Sequence, residues 1–314
     1  ALKGKNEYHK VYYHNVGTPQ SADVLIYEDK QHPLRNFSNV VSDDERYHYM
    51  EGSEASSGNS LLIRDAAGKK SISISENFND SYNVIGNEGD VIFILTNKDA
   101  SRYKVISLDF NSGKQSTLIP EKEDVLLNVV RAGNHLVAHY MKDAGSRLSI
   151  YSLNGAFENE IKLPTYCTVS SLNGSIRDSS LFYSVVSFTF PETVYRYDLF
   201  SKLSEVFFRP EIDFDPAGYE IKQVFYPSKD KTMIPMFIVH KKGIVLDHNN
   251  PTLLFGYGGF NISKTPEFIT ERLVFLEKGG VFALANLRGG GEYGETWHVA
   301  GTKLKKQNVF DDFI

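Results

Sequence analysis

The sequence predicts a β-propeller of about four blades followed by the opening of an α/β domain. Three observations carry that prediction. There is an all-strand repeat with a period of about 44 residues. After Pro210 the patterning changes from strands alone to strands and helices, and a glycine-rich loop closes the third strand of that second region.

The repeat comes first along the chain. From residue 8 to 212, apolar and aromatic runs of strand length recur at Val11–His14, Val24–Tyr27, Tyr47–Met50, Leu61–Arg64, Val91–Leu95 and Tyr103–Leu108. Turn-forming stretches such as "DAAGKK", "NEGD", "NKDAS", "DFNSGK" and "LNGAF" separate them. The units "LLIRDAAGK", "VISLDFNSGK", "SIYSLNGAF" and "YRYDLFSKL" align on Gly68, Gly113, Gly155 and Ser201, and the strands before them begin at Tyr47, Val91, His135 and Leu181. An all-strand unit of about 44 residues matches one four-stranded blade. A β-sandwich with regular turns is the alternative; the constant strand–turn–strand order favours the propeller. The length suits a small propeller or part of a larger ring.

Past Pro210, "IKQVFYPSKD", "IPMFIVHKKG" and "NPTLLFGYGG" read as three strands, the apolar run Leu253–Phe255 looking buried. "TPEFITERLVFLEKGG" reads as a helix capped by Thr265, with Pro266 in its first turn and Gly279–Gly280 at its end. Ile269, Leu273 and Leu276 share one of its faces. "VFALANLRGGG" is a near-continuous apolar strand, as in a sheet covered on both faces. A second helix begins in "KKQNVFDDFI".

Composition narrows the function. With 34 Lys+Arg against 39 Asp+Glu, the net charge of −5 offers no electrostatic reason for a nucleic-acid or membrane partner. No run of about 18 apolar residues is present, and the polar start "ALKGKNEYHK" is not a signal peptide. The single cysteine, Cys167, forms no internal disulfide. A soluble protein of the cytoplasm, or of a bacterial periplasm, fits. The 18 Tyr and 21 Phe suit a strand-rich chain.

Several motifs invite chemistry that their context denies. Gly289, Gly291 and Gly294 spell G-x-G-x-x-G after a strand, but "EYGETWHVAGTK" is a poor start for the helix a dinucleotide turn needs. His135 and His139 sit in a strand, where an i, i+4 pair is about 13 Å apart and cannot share one ion. "SDDER" at Ser42 reads as a blade turn with a solvated acidic face. No metal or cofactor is implied. "FGYGGFN" remains. In α/β-hydrolases the loop after the third strand supplies part of the oxyanion hole, and the glycines let backbone approach a substrate. A simple chain reversal is the alternative, but it leaves Tyr257 and Phe260 on either side of the reversal unexplained.

"LLFGYGGFNISKTP", "NLRGGGEYGETWH" and "KKQNVFDDF" resemble the prolyl oligopeptidase family of serine peptidases, the resemblance running from about residue 219 to 314. Residues 8 to 212 resemble that family's seven-bladed propeller more loosely, in "YYHNVGT", "SDDERY" and the blade period. The resemblance implies blades over 1–212 and the N-terminal part of an α/β-hydrolase peptidase domain over 213–314. It implies that Tyr257 donates to the oxyanion, that Phe260 lines the pocket for the substrate proline, and that Gly258 and Gly259 shape the loop between them. Arg288 and Glu292 then support the site without reacting. The substrates implied are short proline-containing peptides cut on the carboxyl side of proline by a protein that is a monomer when intact. The family's nucleophile lies in a Gly-x-Ser-x-Gly elbow, and no such pentapeptide occurs here. The nucleophile, acid and histidine of the triad are therefore absent, and the chain reads as an internal piece, inactive alone. Two alternatives stand: a non-catalytic propeller binding protein derived from a peptidase, and a sister oligopeptidase specific for basic residues.

Overall fold

The computed structural model describes residues 7–54 and 58–314; the remaining residues of the region read as blades lie outside the described ones. A short hairpin opens the described chain, β1 (Lys10–Tyr13) with β2 (Val24–Glu28). Four antiparallel four-stranded sheets follow, each formed by strands consecutive in sequence. They are β3–β6 (Asn36–Val41, Tyr47–Ser53, Ser60–Asp65, Ser71–Ser75) and β7–β10 (Tyr82–Glu88, Val91–Thr96, Lys104–Asp109, Gln115–Ile119). The next two are β11–β14 (Val125–Ala132, His135–Lys142, Gly145–Ser152, Phe157–Ile161) and β15–β18 (Cys167–Gly174, Ser180–Ser187, Thr193–Asp198, Leu203–Phe208). This is the architecture of propeller blades, one repeat per sheet.

The outer hairpin of each sheet shows why the repeat is legible. In the first, second and fourth, an aspartate at the turn accepts hydrogen bonds from backbone N–H groups just ahead: Asp65 from Lys69 and Lys70, Asp109 from Ser112, Asp198 from Phe200 and Ser201. In the third, Ser152 takes the equivalent place and binds Asn154. Left-handed residues complete the turns at Gly68, Gly113 and Gly155, but in the fourth the left-handed residue is Lys202, one past the Ser201 of the sequence alignment. Its N–H reaches back to the Asp198 carbonyl across one more residue than at Gly155.

Compactness divides the chain into two units, one running to Ala100 with Lys104–Pro120, the other comprising Ser101–Tyr103 with Glu121–Ile314. In the first unit, Tyr47, Leu61 and Ile63 of one sheet pack with Ile92, Ile94 and Leu108 of the next. The "SDDER" turn sits here: the Ser42 hydroxyl accepts from the Arg46 and Tyr47 N–H groups and donates to Asp44. In the second unit, Val137, Leu148 and Ile150 pack against Leu181, Val185 and the buried Cys167. Burial pushes the Cys167 thiol up to about 12, so it behaves as an inert core residue. His139 binds Ser146 and is held neutral by burial, while His135 faces Glu158. Among the described residues no His, Cys, Asp and Glu group is placed to hold a metal ion, and no helix is long and apolar enough to cross a membrane.

The second unit also holds a mixed sheet of β19 (Tyr219–Pro227), β20 (Met233–Lys241), β21 (Thr252–Gly256) and β22 (Val281–Ala285), in the order β19-β20-β22-β21. The first two pairings are antiparallel, and β21 runs parallel to β22. A parallel neighbour demands a crossover, which helix α1 (Thr270–Glu277) supplies. Its Leu273 and Leu276 cover Phe237, Val239, Phe282 and Leu284 of the sheet, and Phe188 and Ala144 from the blades join the same core. This is the start of an α/β-hydrolase domain, followed by two further short helices, α2 (Glu295–Val299) and α3 (Gln307–Phe313).

One local expectation is corrected. The helix begins at Thr270, not beside Thr265 and Pro266. The Pro266 carbonyl is taken by the distant Thr168 hydroxyl and the Glu267 carbonyl by the side chain of Arg272 in the helix itself, so neither carbonyl joins the helical ladder. Its end is as expected, with Gly279 left-handed and its N–H bound to the Leu276 carbonyl. Strand β22 is buried throughout; β21 is the last strand of the sheet within these 314 residues, and there its Leu253, Leu254 and Phe255 are exposed.

Phe237 is the hub of the core shared by blades and mixed sheet, with ring contacts to Tyr166 and Phe188. Phe237→Ala is expected to lower stability by about 3–5 kcal/mol, seen as a lower urea midpoint for the chain. A shift under about 1 kcal/mol would mean that this core contributes little.

Candidate functional site

Strands β21 and β22 are parallel, so both leave the sheet at the same end, where Gly256 pairs with Ala285. Two glycine-rich loops therefore emerge side by side: residues 257–263 and residues 286–294. Ligands of open α/β sheets bind at such carboxyl ends.

The first loop is tightly held. Gly258 has φ +62, and a Cβ there would collide with Val309 and the Arg288 carbonyl. Gly289 has φ +94, and a Cβ would run into the Gly258 carbonyl. The loops thus touch backbone to backbone, a closeness that only glycine permits. Gly259 carries no such demand, since a Cβ there would make ordinary contacts. Lys306 Nζ donates to the Gly258 carbonyl at 2.6 Å. The Asn261 N–H donates to the Gly289 carbonyl at 3.1 Å, and His298 Nδ1 lies 2.8 Å from that same oxygen.

Held this way, the loop carries two exposed rings. Tyr257 is 44% exposed, and among the described residues its hydroxyl makes no hydrogen bond. Phe260 is 80% exposed with φ +54, and Asn261 follows at φ +59. Two consecutive non-glycine residues in the left-handed region are uncommon, and such strain persists only where the surroundings over-determine it.

Arg288 and Glu292 lie beneath the loops. Arg288 Nε reaches Asp312 Oδ1 and Oδ2 at 3.0 and 2.9 Å, and its Nη2 reaches Oδ1 at 2.5 Å. The Arg288 N–H also donates to Asp312 Oδ2, and Nη1 meets Asp230 at 2.5 Å. Ser228 Oγ donates to Asp312 Oδ1, completing a network around a carboxylate with 0% exposure. The Arg288 guanidinium holds the Asp230 carboxyl down at about 2, and the two aspartates hold the guanidinium above its ordinary value. Glu292 is buried, and that desolvation pushes its carboxyl up to about 7. Its Oε1 accepts from the Lys264 N–H at 2.8 Å and from Asn286 Nδ2 at 3.3 Å. Asn286 Nδ2 also donates to the Lys264 carbonyl. Neither residue is aimed at solvent.

The arrangement offers an exposed phenol donor and an exposed apolar ring on a rigid loop. A phenol O–H can stabilise a developing oxyanion, and an exposed aromatic ring can form one wall of an apolar pocket. Sequence reasoning named both rings and both supporting residues. It missed Asn286, Lys306, His298 and Asp312, although "KKQNVFDDF" had drawn attention to the segment holding two of them.

Comparison with known proteins places the chain in a family. The family model for the prolyl oligopeptidase N-terminal β-propeller domain matches residues 2–209, and the prolyl oligopeptidase family model matches residues 266–314. The chain belongs to the prolyl oligopeptidase family. Among its relatives in that family, the chain is 40% identical to a prolyl endopeptidase of Elizabethkingia meningoseptica over 100% of its own length and 45% of that protein. It is 36% identical to prolyl oligopeptidase A of Galerina marginata over 97% of its own length and 43% of that protein. Among solved structures, prolyl oligopeptidase B of Galerina marginata bound to a 25mer macrocyclization substrate superimposes with TM-score 0.92 at 32% identity, over 99% of this chain and 45% of that one. The chain thus spans less than half the length of the curated relatives it matches.

Two outcomes test the roles of the supporting residues. Asp312→Asn takes the buried carboxylate from Arg288 and leaves it only the half-exposed Asp230, a change expected to cost up to about 3–5 kcal/mol and readable from the urea midpoint. An unchanged midpoint would show that the network is dispensable. Glu292 gives a pH signature. Its folded value of about 7 stands above its ordinary 4.5, so its contribution to stability is fully present below 4.5 and is lost as pH rises through about 7. Glu292→Gln is expected to flatten the dependence of the melting temperature on pH across that window, and an unaltered slope would refute the assignment.

Proposed function

We propose that the complete protein is a serine-type endopeptidase that hydrolyses short peptides on the carboxyl side of proline through an acyl-enzyme. In this reading residues 1–212 are blades and residues 213–314 open the peptidase domain. The observation that carries it is the rigid loop after β21, which presents the Tyr257 hydroxyl and the Phe260 ring together. Among the described residues the hydroxyl has no hydrogen-bond partner and the ring is 44% exposed, which leaves it able to donate to the oxygen of a tetrahedral intermediate. The Phe260 ring supplies a flat apolar wall against which a proline ring can pack. Gly258 brings this peptide against the neighbouring loop, and Arg288 and Glu292 hold that loop from below. No Gly-x-Ser-x-Gly elbow lies within these 314 residues, so nucleophile, acid and base come from elsewhere in the complete protein. Names borne by the relatives, prolyl endopeptidase and prolyl oligopeptidase, support the same reading.

The decisive experiment uses the full-length protein and a Gly-Pro peptide with a chromogenic leaving group. Tyr257→Phe is expected to lower kcat by about 10²–10³ with little change in KM. An unchanged kcat would remove Tyr257 from the oxyanion site. Faster cleavage of an Arg-containing peptide than of the Pro-containing one would overturn the specificity, and no cleavage of either would favour a binding protein. The 314-residue chain alone is expected to release no chromophore.

A further inference from the structure

Lys264 lies in the "NISKTP" stretch beyond the oxyanion loop. Its Nζ is 5.5 Å from the centroid of the Phe255 ring and 5.5 Å from that of Tyr257. Both distances fall within the reach of a cation–π interaction, about 6 Å. Residues 255 and 257 stand two apart at the end of an extended strand, so their side chains project to one side and can share one ammonium. Among the described residues this ammonium has no carboxylate within salt-bridge distance and no hydrogen-bond acceptor.

The backbone under that side chain is anchored at both ends. The Lys264 N–H donates to Glu292 Oε1 at 2.8 Å, and the Lys264 carbonyl accepts from Asn286 Nδ2 at 2.5 Å. Glu292 and Asn286 are both buried, with exposures of 2% and 0%. Two buried polar side chains thus converge on a single residue of an otherwise irregular stretch. Lysine side chains are long and lose rotamer freedom when ordered. Fixing the Cα of Lys264 limits the volume its ammonium can sweep and keeps it above the two rings.

We propose that Lys264 is a positioning residue for Tyr257, an inference resting on the reading of Tyr257 as an oxyanion donor. The ammonium restrains the tilt of the phenol ring, so that the hydroxyl points where the oxyanion forms. Glu292 and Asn286 act one step further back, by holding Lys264.

The test uses the full-length protein, the same Gly-Pro chromogenic peptide and four variants. Glu292 and Asn286 grip only the backbone of residue 264, so Lys264→Met leaves that clamp in place. Lys264→Met is expected to lower kcat by about 3–10-fold with KM held within about twofold. Lys264→Arg restores the charge over the rings and is expected to recover kcat to within about twofold of the wild type. In a Tyr257→Phe background, adding Lys264→Met is expected to change kcat by less than about twofold, because the group it positions is gone. An equal loss in both backgrounds would overturn the proposal and assign Lys264 to direct substrate contact. Wild-type kcat in Lys264→Met, with Tyr257→Phe still impaired, would overturn the proposal alone. Wild-type kcat in Tyr257→Phe would overturn the donor reading and this role together. Urea midpoints of Lys264→Met and Lys264→Arg matching the wild type separate a positional effect from misfolding.

Discussion

Everything at the candidate site rests on one buried ion pair, Arg288 with Asp312. Arg288 stands three residues past β22, and Asp312 belongs to α3, the last helix of the chain. Their contact is more than a meeting of side chains, because the Arg288 N–H also donates to the same carboxylate. The pair therefore fixes the path of the backbone as it leaves the sheet. Ser228 and Asp230, from the turn between β19 and β20, close the network from the other side. A buried pair of this kind is weak evidence for stability in itself, since desolvation offsets much of its attraction. What it specifies is geometry: one course for the 286–294 loop and one seat for α3.

The loop after β21 is built on that seat. Val309 of α3 leaves no room for a side chain at position 258, and Lys306 at its start binds the Gly258 carbonyl. Gly289 presents its carbonyl to Asn261 and His298. The left-handed backbone at Phe260 and Asn261 is thus enforced from several directions, which is how a strained exposed aromatic can be held at all. Rigid support below and exposed rings above is the arrangement that catalysis by preorganised donors requires. Glu292 and Asn286 form a second polar layer, anchored to Lys264, and the raised value of the Glu292 carboxyl reflects its burial in that layer.

Much of the fold was legible because its signals are local. Each blade announces itself by strands of similar length and by an outer turn closed by Asp65, Asp109, Ser152 or Asp198. Those turns are decided within five or six residues, so a repeat in them survives reading without any structure. The start of α1 was misread for the converse reason. Thr265 and Pro266 are good local helix starters, but the distant Thr168 takes the carbonyl of Pro266.

By itself the sequence determined the blade period, the change to strands with helices after Pro210, and the identity of the two rings on a glycine-rich loop, but not the short α2, which lies in a segment read as a poor helix start. These follow from short-range patterns in which neighbours along the chain are neighbours in space. Only the tertiary structure decided that Arg288 meets Asp312, that Gly258 lies against Gly289, and that the Lys264 ammonium sits over Tyr257. The first two are contacts between residues more than 20 positions apart, and the third joins residues in one loop whose turn geometry is set by distant partners. Such contacts depend on which strands pair and in which direction. The parallel register of β21 on β22 settles that choice, and no local propensity encodes it.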